Sequence, residues 1–171
     1  MVRTNNLLFV APHPDDEVLG CGGVIKKLTL KGTLVYVLVV TRGKKGKFSD
    51  EKIMKVRNEA LKAHKILGVT ETRFLDFPAP DLDLISLAEI SEAISRIIIE
   101  LKIETLYLPH RGDIHHDHKA VFNAGMVAAR PLVNNTVRRV FSYETLSETE
   151  WSDSFGDDFF IPTTFVDVTD V

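Results

Sequence analysis

Four residues that could do chemistry stand almost side by side near the start of the chain, in the stretch APHPDDEVLGCGG at residues 11–23. They are His13, Asp15, Asp16 and Glu17, and they directly follow the apolar run LLFVA. Adjacent carboxylates repel one another. Such a cluster is therefore expected either on a solvated surface, as the decoration of a helix start, or around a cation.

A second cluster, PHRGDIHHDH at residues 109–118, supplies several imidazoles. His115 and His118 are three residues apart, a spacing that places both side chains on one side of a helical turn. Two imidazoles and one carboxylate form a three-ligand set with an open position, which is typical of catalytic zinc sites, where bound water has a pKa of roughly 7. A solvated helix start, with Asp117 stabilised by the helix dipole, is the alternative interpretation of this cluster.

The elements that must position these residues follow a β/α alternation, because short apolar runs alternate with longer segments of helical periodicity. Strands are predicted at residues 7–11, 34–41, 73–76, 105–109, 138–142 and 164–168, and helices at residues 18–31, 51–67, 86–102 and 117–129. This order favours right-handed crossovers and a mostly parallel sheet covered on both faces. We therefore predict an α/β protein with a Rossmann-like three-layer α/β/α architecture and the strand order 3-2-1-4-5.

That strand order would bring the two clusters together. In open α/β sheets, ligands bind beyond the carboxyl ends of the strands, where the strand order reverses. Strands one and four would lie side by side across this point, and the two clusters occupy the loops that follow them. We therefore expect the acidic cluster at residues 13–17 to face the histidines at residues 115–118.

Composition and charge limit the class of protein. The 171 residues, 44% of them hydrophobic, suit one domain over residues 1–171. A formal net charge of −3 provides no basic field for nucleic acid. The single cysteine, Cys21, excludes an internal disulfide framework and a cysteine-rich zinc site, and it favours a cytoplasmic location. The longest apolar stretch, LVYVLVV at residues 34–40, is far shorter than the roughly 20 residues that cross a bilayer, so no stable membrane insertion is expected.

The two clusters resemble the signature motifs of a known family, the PIG-L/LmbE-like zinc-dependent N-deacetylases, which act on N-acetylglucosamine-type sugars. APHPDDEVLGCGG matches the first motif and DIHHDH matches the second. Further matches are VVTRGKKG at residues 39–46, RNEALKAHKILGV at residues 57–69 and SYE at residues 142–144. The resemblance covers nearly the whole chain, but residues 165–171 resemble a strand after which relatives continue into a helical extension that this sequence lacks.

The resemblance implies a role for each residue of the two motifs. His13, Asp16 and His118 correspond to the zinc ligands, and Asp15 corresponds to the general base that acts on water. His115 corresponds to a positively charged partner of the oxyanion. The resemblance also implies that Asp117 holds that imidazole oriented and charged.

Substrate contacts are expected further along the chain. The resemblance implies substrate binding by Arg57 and a sugar pocket lined by the loop around Pro80 and Asp81. Arg42 begins a basic loop with Lys44, Lys45 and Lys47, which is interpreted either as a solvated loop or as a recognition site for an anionic group. Zn²⁺ is the expected metal, with Fe²⁺ as the alternative.

The sequence thus predicts a metal-dependent amidohydrolase that removes the acetyl group from an N-acetylglucosamine-type amino sugar or its conjugate. Either Asp15 or His115 would protonate the departing amine, and homo-oligomerisation is left open. A methyltransferase is one alternative, because EVLGCGG resembles a nucleotide-binding glycine loop, although that loop should directly follow a strand. A non-catalytic metal-binding or sugar-binding module is the other, although it would have no need for Asp15.

Other residues near the motifs have simpler expected roles. Glu17 is predicted to be a helix-start residue stabilised by the helix dipole. His64, on a lysine-rich helix, is predicted to lie at the surface. Gly20, Gly22 and Gly23 are expected to allow close packing of the first helix.

Overall fold

The computed structural model describes residues 5–44, 46–132, 134–151 and 156–171. Within these residues, strands and helices alternate from the first strand to the fifth. The strands are β1 (Asn6–Ala11), β2 (Leu34–Gly43), β3 (Glu71–Ala79), β4 (Thr105–Pro109) and β5 (Arg139–Tyr143). The helices are α1 (Asp16–Leu30), α2 (Asp50–Leu67), α3 (Leu87–Glu100), α4 (His116–Ala128) and the short α5 (Leu146–Thr149), with a 3-10 turn at Leu82–Leu84.

The strands form one parallel sheet in the order β3-β2-β1-β4-β5, which confirms the predicted architecture and strand order. Strand β1 is central, since Phe9 pairs with Val37 of β2 on one side and with Tyr107 of β4 on the other. Because all the strands run in one direction, β1 and β4 end at the same edge of the sheet. The loops that follow Ala11 and Pro109 therefore begin as neighbours.

Helices cover both faces of the sheet. Leu8 and Val10 pack with residues of α3 and α4 in one buried cluster, whereas Leu7 and Phe9 pack with residues of α1 in a second cluster. Burial on both faces explains why β2 is a continuous apolar run rather than an alternating one. None of the described helices has both the length and the apolar content that crossing a membrane requires.

Two of the predicted boundaries moved for identifiable reasons. Strand β3 extends over Glu71–Ala79 rather than residues 73–76, because it lies at the edge of the sheet, where Pro78 does not interrupt an inner ladder. Helix α1 begins at Asp16, two residues before the predicted start, so Asp16 and Glu17 lie in its first turn and Asp15 is its N-cap residue.

The strand predicted at residues 164–168 was wrong, since this part of the chain is in neither a helix nor a strand. It lies along α1 instead. The Lys27 ammonium donates to the Asp167 carbonyl, and Val168 covers Gly23 of the helix. The apolar residues of this segment therefore meet a helix surface and solvent, without a pairing strand among the described residues.

Helix α1 approaches the end of β5 closely at Gly20. A Cβ atom at this position would lie 2.5 Å from the Glu144 carbonyl oxygen and 2.6 Å from the Tyr143 ring. Tyr143 is fixed in turn, because its hydroxyl donates to the Val10 carbonyl at 2.9 Å. At Gly22 a Cβ atom would meet only Val18, at an ordinary 3.7 Å. Close packing therefore requires glycine at position 20 but not at position 22.

Glu17 and His64 form a buried pair between α1 and α2, so the prediction that His64 lies at the surface was wrong. Glu17 does lie in the first turn of α1, as predicted. Glu17 Oε1 lies 2.6 Å from His64 Nε2, and His64 Nδ1 lies 2.9 Å from the Thr72 hydroxyl of β3. His64 shares the buried face of α2 with Ile53 and Ala60, at helical spacing, which overrides the many lysines around it. The pair ties the start of α1 to α2 and β3.

Gly20→Ala and Gly22→Ala should change stability in opposite directions. The first should lower the free energy of unfolding by about 1–3 kcal/mol, because the added methyl group overpacks a backbone contact. The second should raise it by up to about 1 kcal/mol, because alanine favours the helix and meets no obstacle. Urea denaturation of the two variants checks this, and similar changes in both would contradict the packing argument.

His64→Leu should lower the free energy of unfolding by about 3–5 kcal/mol, because it leaves a buried carboxyl group without its partner. The double variant Glu17→Leu/His64→Leu should recover most of this loss, since no buried carboxyl group then remains without its partner. Urea denaturation of wild type, single and double variants gives the comparison. A double variant no more stable than His64→Leu would show that the pairing is not what stabilises this contact.

Candidate metal centre

The two sequence clusters meet at the carboxyl edge of the sheet. His13, Asp16 and His118 each offer one ligand atom, and the three atoms lie within 4.8 Å of one another. The loop that carries His13 is held to β2, because the Thr41 hydroxyl donates to the Pro12 carbonyl at 2.7 Å. His116 is exposed and contributes to no such group among the described residues.

Asp16 is the centre of this group. Its Oδ2 lies 3.3 Å from His13 Nδ1 and 3.2 Å from His118 Nε2, and it also accepts a hydrogen bond from the His13 backbone N–H at 2.9 Å. Asp16 and His118 are both buried. Despite this proximity, His118 Nε2 has no hydrogen-bond partner with acceptable geometry among the described residues. A buried nitrogen without a partner, next to a carboxylate and a second imidazole, fits a divalent cation.

The pKa shifts of His13, His118 and Asp16 also indicate that this group of residues favours a positive charge. Burial lowers the pKa of His13, but hydrogen bonds to Asp117 and Asp16 outweigh burial and raise this pKa to about 10. Burial also lowers the pKa of His118, but the hydrogen bond between its Nδ1 and Asp113 and the nearby Asp16 carboxylate reverse the effect and raise this pKa to about 9. Burial raises the pKa of Asp16, yet the two imidazoles that lie beside its carboxylate hold that pKa well below the usual range. Without a metal, protons on the imidazoles neutralise the carboxylates.

A second group of potential ligands shares His13 and adds His115 and Asp117. Both oxygens of Asp117 are already engaged, since Oδ1 accepts from the Leu82 backbone N–H at 3.0 Å and Oδ2 lies 3.0 Å from His13 Nε2. The group that contains the unpartnered His118 nitrogen is therefore the better candidate for a metal.

The Asp117 carboxylate does not bind His115, contrary to the expectation from the family resemblance. Its carboxylate contacts His13, because α4 begins at His116 and turns the Asp117 side chain towards the β1 loop. His115 Nδ1 instead accepts a hydrogen bond from the Asp117 backbone N–H at 3.1 Å, as the N-cap of α4. Burial and the charge of His13 lower the pKa of His115, so the expected positive charge on this imidazole is not supported.

Asp15 stands beside the centre without belonging to either group of ligands. Its backbone precedes the first turn of α1, and its side chain lines the same cavity as His13 and His115. Asp15 is exposed, but partial desolvation of its carboxylate and the charge of Asp16 raise its pKa. A carboxylate with a raised pKa that is not used as a ligand can accept a proton.

Two residues that the sequence reasoning missed support His118. Asp113 Oδ2 lies 2.7 Å from His118 Nδ1, and Asp113 Oδ1 accepts a hydrogen bond from the Thr149 hydroxyl of α5 at 2.6 Å. All three side chains are buried. Carboxylates that accept from the outer nitrogen of a metal-ligating histidine fix its tautomer and orientation. A carboxylate five residues before the histidine was the one available signal, and it has no characteristic spacing.

A cavity of about 420 Å³ contains Asp15 and His115 in its wall and extends to the residues expected to bind substrate. Arg42 and Arg57 line it, as does Pro80. Asp81 does not, because its carboxylate pairs with the Lys44 ammonium instead. Lys45 of the predicted basic loop lies outside the described residues.

Comparisons with known proteins agree on one family. The family profile described as "PIG-L: GlcNAc-PI de-N-acetylase" matches residues 8–129. The chain is 33% identical over 150 residues to the "Uncharacterized deacetylase YaiS" of Escherichia coli, covering 85% of this chain and 76% of that protein. It is 33% identical over 135 residues to a "Probable N-acetyl-alpha-D-glucosaminyl L-malate deacetylase 2" of Bacillus cereus, covering 72% of this chain and 60% of that protein.

A solved structure is similar as well. It is the N,N'-diacetylchitobiose deacetylase from Pyrococcus horikoshii, in complex with an inhibitor, with a TM-score of 0.61 and 26% sequence identity. The similarity covers 74% of this chain and 49% of that one.

Asp113→Asn should weaken Zn²⁺ binding by about 10- to 100-fold, because the amide no longer accepts the proton of His118 Nδ1 as a carboxylate does. Competition with a chromophoric chelator measures the affinity. Asp83→Asn, which removes an exposed carboxylate, is the matched control and should bind as wild type does. Equal affinities for the two variants would remove Asp113 from the support of the metal centre.

Proposed function

The chain belongs to the PIG-L (GlcNAc-PI de-N-acetylase) family, and from that premise we propose that it is a metal-dependent hydrolase that removes the acetyl group from an N-acetylglucosamine-type amino sugar. One observation carries the proposal: ligand atoms of His13, Asp16 and His118 converge, while Asp15 lies beside them in the cavity with a raised pKa. The chain spans 60% of the length of the Bacillus relative and 49% of the length of the Pyrococcus chain.

His13, Asp16 and His118 would hold the metal ion. When bound, a divalent cation at such a site polarises an amide carbonyl and makes a water molecule more acidic. The set of two imidazoles and one carboxylate suits Zn²⁺, and Fe²⁺ is the alternative that the same ligands accept.

The other residues supply the proton transfers of amide hydrolysis. Asp15 takes a proton from the attacking water as the new carbon–oxygen bond forms. His115 accepts the Asp117 N–H at Nδ1, so the neutral ring carries its proton on Nε2 and can donate it as a hydrogen bond to the carbonyl oxygen while negative charge develops there. Asp15 then passes the proton to the sugar nitrogen as the carbon–nitrogen bond breaks. The second proton of the attacking water leaves the new carboxyl group for the amine, so the products are acetate and the protonated amine.

The alternatives are less well supported. A methyltransferase needs its glycine-rich loop at the turn between strand and helix, whereas Gly20, Gly22 and Gly23 lie within α1. A binding module gives no role to Asp15. We include a cytoplasmic location in the proposal, because the chain has a single cysteine, the buried Cys21, and no disulfide framework.

Asp15→Asn should keep bound Zn²⁺ and lower the rate of amine release by about 10²- to 10⁴-fold, since the amide cannot accept the proton of water. Amine release from N-acetylglucosamine and its glycosides is followed with an amine-reactive fluorophore, and metal content by mass spectrometry. Asp83→Asn again serves as the control and should keep wild-type activity. Undiminished turnover in Asp15→Asn would exclude this residue as the base, and wild-type protein with Zn²⁺ that releases no amine from any acetylated amino sugar would overturn the proposed function.

A further inference from the structure

Basic side chains line the cavity on the side formed by the end of β2, the start of α2 and the loop between them. Four basic residues line it, and they are Arg42, Lys47, Lys52 and Arg57. The acidic residues that line the cavity are Asp15 and Asp16 at the metal centre and Glu148 of α5. Positive charge is thus concentrated in the part of the wall that belongs to β2, α2 and the loop between them.

Two of the four cations are neutralised within the protein. Arg42 Nη2 donates to Asp50 Oδ1 at 2.6 Å, and Arg57 Nη2 donates to Asp76 Oδ1 at 2.8 Å. Arg57 also donates to the Leu75 carbonyl at 2.8 Å, which fixes it against β3. The two guanidinium groups therefore have structural partners.

Lys47 and Lys52 differ from these arginines. Neither ammonium has a carboxylate within 4.0 Å among the described residues. Both lie near one ring, with Nζ 5.8 Å from the Phe48 ring centre for Lys47 and 5.2 Å for Lys52. The ring itself lies against β2, since a Cβ atom at Gly43 would come within 2.9 Å of it. Two like charges thus share one aromatic platform in the cavity wall without a compensating anion.

The metal centre with Asp15 lies at one part of the cavity wall, and Lys47 and Lys52 lie at another. The acetamide must reach the metal centre and Asp15 for hydrolysis, so the rest of the conjugate extends along the wall. Both lysines are exposed, line the cavity and lie close to the same ring. An anionic group that enters this part of the cavity would therefore meet two positive charges that no carboxylate of the described residues neutralises.

We infer that Lys47 and Lys52 bind an anionic group, a carboxylate or a phosphate, carried by the amino sugar on the part of the molecule remote from the acetamide. The inference rests on the proposed function and narrows its substrate class to anionic conjugates of N-acetylglucosamine. Arg42 and Arg57 shape the same wall, but their carboxylate partners leave the recognition of charge to the two lysines.

A matched pair of substrates tests the charge directly. The carboxymethyl glycoside of N-acetylglucosamine and its carboxamide differ by one negative charge and have nearly the same shape. For the Zn²⁺-loaded wild type we expect kcat/KM to be roughly tenfold higher for the carboxylate at low salt, through KM, and this preference should shrink in 0.5 M NaCl as the charges are screened. N-acetylglucosamine 1-phosphate is the third probe, and its kcat/KM relative to that of the carboxylate identifies which anion is preferred.

The double variant Lys47→Gln/Lys52→Gln should lose the preference, so that the ratio of kcat/KM for carboxylate and carboxamide falls to about one. Lys55→Gln is the control, because Lys55 is exposed on the same helix, pairs with Glu59 and does not line the cavity, and it should keep the wild-type ratio. A preference that survives in the double variant would overturn the assignment to these lysines. If wild type turns over both glycosides equally, the anionic substrate class is wrong, but the proposed deacetylase activity stands. If wild type releases amine from no acetylated sugar, the proposed function itself is wrong.

Discussion

Three carboxylates are buried within one small region at the carboxyl edge of the sheet, and the cost of burying them constrains the rest of the site. Asp16, Asp113 and Asp117 are each less than 5% exposed. A buried carboxylate is tolerated only when cations and hydrogen-bond donors surround it. Here His13 and His118 lie between the carboxylates, and the nearby carboxylates raise the pKa of both imidazoles, so the region favours positive charge. A divalent cation would satisfy the same demand with one ion.

The fold meets this constraint through the junctions between strands and helices. Strands β1 and β4 are neighbours, so the loops after them converge, and α1 and α4 begin within those loops. Side chains from the two loops and helix starts therefore contact each other directly. Asp16 contacts His118, and Asp117 contacts His13. Helix α5 joins the centre through the Thr149 hydroxyl on Asp113, while Ser147 and Glu148 of the same turn line the cavity. The cavity wall and the support of His118 are thus parts of one short segment.

The architecture and the convergence of the two clusters could be predicted from sequence, because both follow from the order of apolar runs and from the direction of parallel strands. The partners of individual polar side chains could not. Asp113 is one aspartate in an irregular loop, without periodicity to mark it, and the partner of Asp117 depends on where α4 begins. His64 was misjudged because its lysine neighbours suggested an exposed helix face, although its spacing from Ala60 placed it on the buried one. The apolar residues at 164–168 predicted a strand because an apolar run does not reveal whether it will meet a sheet edge or a helix.

The position of the acidic triplet at the start of α1 explains how three adjacent carboxylates coexist. Successive residues of a helix point in directions about 100° apart. Asp16 therefore lies between two imidazoles, whereas Glu17 is buried against His64. Asp15, the N-cap residue before the helix, lies in the cavity wall. Each carboxylate has its own surroundings, so their chemistry can differ although their sequence positions are adjacent. The two that have imidazole partners are buried and structurally fixed, and the one without such a partner is the one free to exchange a proton with water.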